Sequence, residues 1–169
     1  MNRFLIALVA VATLGVAACN DDIAAPTDPN RRLVEIYAAT IQAVATHSRP
    51  DLAEQESIDK VVYLASREGV TIDINVQAGI VVELEDWATI RFIDAIEEAI
   101  ETGEPDAPVR DDGVLLGLGS IPEGVASVSV SADRYEGDSH LTVFDVELAR
   151  RAGEWSVVEP LESTTIRLR

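Results

Sequence analysis

The sequence predicts an α+β domain: an N-terminal helix, a second helix between two strands, then a four-stranded antiparallel meander forming a sheet with the helices on one face. Three observations carry this. Leu33, Ile36, Tyr37, Ile41 and Val44 recur at helical spacing early in the chain. Later, Val128, Val130 and Ala132 alternate with Ser127, Ser129 and Ser131, the pattern of a sheet wet on one face. Turn signals then divide the last third into strand-length pieces. Helices early and strands late are the mark of segregated rather than alternating elements.

The first helix should start at Asp28-Pro29, an N-cap acceptor followed by proline at the first helical position, and run to about His47, stopping before Pro50. Its apolar stripe is a core face. Asp51 to Ser57 is a polar connection, and Lys60 to Ala65 reads as a buried strand. The segment from 71 to 101 admits more than one drawing. Thr71 to Val76 alternates like a strand, while Val76, Ile80 and Leu84 make a helical face; Leu84 to Ile100 can also be drawn as one helix. The preferred drawing is a helix from about Asp73 to Glu85, a strand over Ala88 to Ile93 and a short helical stretch to Glu101, because Thr89 to Ile93 is a β-branched and aromatic run. Gly103 to Asp112 is a loop with two prolines. The meander then comprises Gly113 to Gly119, Val125 to Arg134, His140 to Arg151 and Glu154 to Leu161, with turns at Pro122-Glu123-Gly124, Glu136-Gly137-Asp138 and Ala152-Gly153. This element order, with Trp155 just after the last turn, is similar to the cone-shaped nuclear-transport-factor-2-like superfamily, though the extra strand before the meander departs from it.

Composition excludes several function classes. The 169-residue chain has room for one domain, and 47% apolar residues suffice for a core without disulfide or metal. Thirteen Lys and Arg stand against thirty Asp and Glu, a net of −17. Such a surface is repelled by nucleic acid, whose binding needs clustered cations, and by anionic headgroups. The acidic excess is a solubility device for an exported protein or a surface that collects divalent or cationic partners. A single cysteine, Cys19, rules out a disulfide scaffold.

Residues 1–19 carry the most specific signal. Arg3 gives a positive start, Phe4 to Val16 is thirteen residues without a charge, and Ala17-Ala18 supplies small residues for a signal peptidase. Thirteen helical residues span about 20 Å, short of the roughly 30 Å hydrocarbon core. Val16-Ala17-Ala18-Cys19 resembles the lipobox of bacterial lipoproteins, with Val16 in place of the commoner leucine. The resemblance implies that residues 1–18 are a removed signal peptide and that Cys19 is the lipid-attachment site, carrying a diacylglyceryl group and acyl chains of the palmitate type. Two or more acyl chains give stable anchoring. The alternative is an ordinary signal peptide with an incidental cysteine near the cut. Removal of the leader takes away Arg3 and no acid, leaving twelve cations against thirty anions, or −18. Residues 19–28 form a tether, whose Asn20 to Asp28 reach about 30 Å when extended, and residues 29–169 form the single domain. Asn20 stands where the family's retention signal has aspartate, so inner and outer membrane both remain open, with the domain in the periplasm or the extracellular space.

Chemical motifs give no catalytic, cofactor or metal residues. Gly137-Asp138-Ser139-His140 resembles the GDSL signature of a hydrolase family, but it lies late, no histidine follows it, and a hairpin turn is needed there. Gly117-Leu118-Gly119 has Pro122 where a dinucleotide loop needs its third glycine, and it ends a strand. His47 and His140 lack metal-ligand spacing and would need a third protein ligand; His47 suits a cation near a helix C-terminus. Glu83-Glu85-Asp86, Glu97-Glu98-Glu101 and Asp111-Asp112 follow no calcium-loop pattern, and the three glutamates of the middle group would share a solvated helical face. The expectation is a non-enzymatic, membrane-tethered domain that binds an envelope protein or a small ligand. The alternative is a small enzyme or ligand binder with a pocket inside an α+β cone.

Overall fold

The computed structural model describes residues 29–49, 60–101, 107–123, 126–135, 137, 140–158 and 160–167. The leader, Cys19 and the tether 19–28 lie outside the described residues, as does the connection 51–57. Two α-helices and seven strands occur among those residues: α1 (Pro29–Thr46), β1 (Val61–Ser66), α2 (Ile74–Glu83), β2 (Thr89–Phe92), β3 (Val114–Leu118), β4 (Ser127–Tyr135), β5 (His140–Arg151), β6 (Glu154–Val157) and β7 (Glu162–Arg167).

The expected four-stranded antiparallel meander is overturned by a seven-stranded, mixed and strongly curled sheet of order β2-β1-β3-β4-β5-β6, with β7 also on β5. β1 lies parallel to β2, with Val62 opposite Ile90, and parallel to β3, with Leu64 opposite Leu116. From β3 onward the pairings are antiparallel. The physical reason is burial on two faces. Val61 to Leu64 are all buried, so β1 takes helix on one side and loop on the other, which is the environment of parallel strands. The connection through α2 covers the face of Val62 and Leu64. The connection from β2 to β3 covers the opposite face, where Ile93, Ala99, Ile100 and Val109 pack on Val61, Tyr63 and Leu115. Connections running in opposite directions along a sheet keep one hand by using opposite faces.

β5 is long enough to pair twice along one edge. β6 takes Leu148 to Arg151, and β7 takes His140 to Asp145. The two are one antiparallel line broken between Val157 and Glu162, where Val158 N–H still reaches Glu147 O. The strand expected to run to Leu161 therefore stops at Val157, and β7 is an addition. The β5–β6 turn has positive φ at both Ala152 and Gly153, 52° and 93°, matching the twist of a two-residue hairpin.

α1 buries Ile36, Tyr37, Ile41 and Val44 on the curled sheet, while Leu33 is partly buried. Asp73 caps α2 through Oδ1, which accepts from Asn75 N–H at 2.8 Å. Val76, Ile80 and Leu84 face the core, and Ile74 and Val82 point outward at 70% and 65% exposure. Phe144 on β5 is the largest fully buried side chain among the described residues. The short helical stretch expected up to Glu101 is a 3-10 turn at Ile96–Glu98. Glu97, Glu98 and Glu101 are exposed as expected, and Glu98 Oε1 accepts from Asp94 and Ala95 N–H.

Candidate functional site

The helix-free face of the sheet divides in two. Over β1 and β3 it is covered by the β2–β3 connection; over β4 and β5 the outward residues Ser127, Ser129, Asp145 and Glu147 are exposed. At the carboxyl ends of parallel β1 and β3 this face opens into a groove of about 520 Å³, bordered by Arg67, Glu68, Gly119, Ser129, Ser131 and Asp145. Crevices at the carboxyl ends of parallel strands are where α/β sheets present loops to ligands.

Arg67 follows β1 directly and lies across β3. It can do so because Gly117 lies within β3 and Gly119 directly follows it. A Cβ on Gly117 would stand 3.4 Å from Asp133 Oδ2 and 3.5 Å from Arg67 Cγ, and one on Gly119 would meet Ser131 O at 2.5 Å. Gly119 also donates its N–H to Ser131 O at 2.8 Å, and its own carbonyl accepts from Tyr37 O–H at 3.0 Å. The Gly117-Leu118-Gly119 stretch thus keeps two backbones close.

Arg67 Nε donates to Asp133 Oδ2 at 3.0 Å, and Nη1 donates to Ser131 Oγ. The Asp133 side chain is 15% exposed, and its Oδ1 is buried without a hydrogen-bond partner. Burial pushes the Asp133 carboxyl up from its ordinary value, and the Arg67 charge pulls it part of the way back. Ser131 Oγ accepts from the Arg67 guanidinium. Ser129 stands opposite Glu147, and Ser131 opposite Asp145. With the Arg67 charge matched by Asp133, the groove offers hydroxyls and the carboxylates of Glu68 and Asp145. It suits hydrogen-bond donors and cationic groups.

A second polar cluster sits where the β2–β3 connection meets the sheet. Asp111 Oδ2 accepts from Tyr63 O–H at 2.7 Å and from Arg91 Nη1 at 2.6 Å. Those two hydrogen bonds hold the Asp111 carboxyl below its ordinary value. Asp111 and Asp112 both have positive φ, 58° and 50°, so the Asp111-Asp112 pair forms a tight turn. Among the described residues no three of His, Cys, Asp and Glu are placed to hold a metal. Nor is any described helix long and apolar enough to cross a membrane.

The two histidines do come together. His47 follows α1, His140 opens β5, and both line one pocket. Residues 136, 138 and 139 lie outside the described residues, so the Gly137-Asp138-Ser139-His140 tetrapeptide is seen at its ends alone; His140 N–H donates to Gly137 O at 2.7 Å. Sequence reasoning missed Arg67, Asp133 and this meeting of histidines. Alternation did place Ser127, Ser129 and Ser131 on one wet face, but nothing in the chain announced that Arg67 crosses to it.

No protein-family model matches the chain, and no curated protein matches it. Among solved structures it is similar to an S-adenosylmethionine-dependent methyltransferase from Clostridium acetobutylicum ATCC 824 at 7% identity, over 80% of this chain and 74% of that one. The TM-score is 0.20, which carries no argument about fold or activity.

Proposed function

We propose that the chain is an exported lipoprotein, moored through acyl chains on Cys19, whose domain works by binding an envelope component rather than by catalysis. The address rests on Val16-Ala17-Ala18-Cys19 at the end of a short apolar leader. The binding reading rests on the groove. It is open and lined by serine hydroxyls and carboxylates, and its one cation is matched by Asp133. The partner that fits is a surface rich in amine or hydroxyl donors.

The address is tested by mass spectrometry of the membrane-extracted protein. The expected product starts at Cys19 and carries the mass of two or more acyl chains, and Cys19→Ala moves the domain into the soluble fraction. An intact Met1, or a variant that stays equally membrane-bound, would sink it. The binding surface is tested by cross-linking in intact envelopes with Ser129→Arg beside the unmodified domain. Partners lost with that variant support the groove; partners shared equally by both, or none, count against it.

A further inference from the structure

The inner face of the curled sheet continues past the point where α1 stops. Phe144, Val146 and Leu148 of β5 lie under the helix, and the same side of the strand carries Thr142 and His140 beyond it. Arg134 of β4 is opposite Thr142, which is opposite Thr165 of β7. There the face turns from apolar to polar and borders a pocket of about 380 Å³. Its cationic or protonatable members are His47, His140 and Arg134. The other lining residues, Ser48, Thr142, Ser163 and Thr165, each bring a hydroxyl. Every described side chain there can donate a hydrogen bond, and none is a carboxylate, in a chain with thirty of them.

The arrangement is held from below. Phe144 meets the His47 ring edge-on at 5.4 Å between centroids, and the Arg134 guanidinium stacks over Phe144 at 5.3 Å. Arg134 is 5% exposed, and its Nη1 donates to Val44 O and His47 O at 2.7 Å each. The carbonyls at the end of α1, which would repel an anion, are therefore turned to a cation. Among the described residues the two imidazoles have no third ligand for a divalent metal, and a guanidinium stands beside them.

We propose that this pocket binds an oxyanion, a phosphate or sulfate group, free or carried on a small molecule. The two imidazoles supply donors, and the Thr142–Thr165 hydroxyl pair, bonded to each other at 3.0 Å, supplies the one O–H not spent between them. The site is separate from the groove on the opposite face and does not depend on it.

The test is thermal unfolding and calorimetric titration of the purified full-length chain with inorganic phosphate, sulfate and glycerol phosphate. Chloride at matched ionic strength and pH is the control. Phosphate should raise the unfolding midpoint where chloride does not, and His47→Gln combined with His140→Gln should weaken binding about tenfold or more. Circular dichroism of the double variant separates lost binding from lost fold, and His140→Gln alone gives a milder second reading. Tighter binding of glycerol phosphate assigns a carried phosphoester; tighter binding of the inorganic ion assigns a free one. No response to any oxyanion, an equal response in both proteins, or saturation by zinc without one by phosphate would overturn the proposal.

Discussion

Replacing Arg134 by methionine tests what one buried cation does for the end of α1. Val44 O lies in the last turn of the helix, where carbonyls lack an intrahelical partner, and His47 O lies just beyond it. Arg134 Nη1 supplies that partner to both at 2.7 Å. The bond to Val44 is buried, so methionine leaves a desolvated acceptor that costs about 1–3 kcal/mol. His47 O is partly buried and recovers water, so its loss costs about 0.5–1.5 kcal/mol. The stacking on Phe144 adds a few tenths of a kcal/mol net, because methionine sulfur also packs well on aromatic rings. Release of a buried charge offsets part of this. The expected cost is about 2–4 kcal/mol, a large share of the roughly 5–15 kcal/mol that holds a domain together. Arg91→Met is the control. Its pair with Asp111 is as short, 2.6 Å, but both side chains are half exposed, so the cost should stay below about 1 kcal/mol. Urea unfolding of both variants, with m unchanged, gives the comparison. Equal costs for the two, or less than about 1 kcal/mol for Arg134→Met, would show that burial of the guanidinium contributes nothing.

Gly119→Ala should destabilise by about 1–3 kcal/mol, since its Cβ would stand 2.5 Å from the rigid Ser131 O; an unchanged unfolding midpoint would contradict the close approach of β3 and β4. Asp133 makes a pH prediction whose sign follows from its raised carboxyl. A folded value above the unfolded one, near 3.9, means its contribution is complete below that pH and is lost as pH rises through the folded value. The stability of wild type minus Asp133→Asn should therefore fall as pH rises from about 3.9 in urea titrations, and a rising difference would refute the burial argument.

Much of the element order was legible because each element writes a local period. Leu33 to Val44 on α1, the Asp73 cap before Val76, Ile80 and Leu84, and the serine alternation of β4 are read within a few residues of themselves. β7 left no such trace: Glu162 to Ile166 are exposed, so neither face alternates, and the last expected strand was drawn to end at Leu161. Parallel pairing was signalled faintly by the unbroken apolar runs Val61 to Leu64 and Val114 to Leu116, but the same runs fit any strand buried on two faces. Nothing in the chain brought Arg67 to Asp133 or His47 to His140, pairs separated by 66 and 93 positions.

The amino-acid order by itself settles which side of each segment is greasy, where turns and caps interrupt it, and that anions outnumber cations. These are properties of neighbours along the chain, set by backbone periods of 3.6 and 2 residues. Which strands become neighbours was decided in three dimensions. β1 found partners on both edges because both its faces had to be covered at once, and that choice carried Arg67 over the glycines of β3. The curl of the sheet beneath α1, and the helix ending before the strands do, made a polar pocket of residues that share no local pattern. Long-range contacts answer to burial of the whole domain, and no window of sequence contains that constraint.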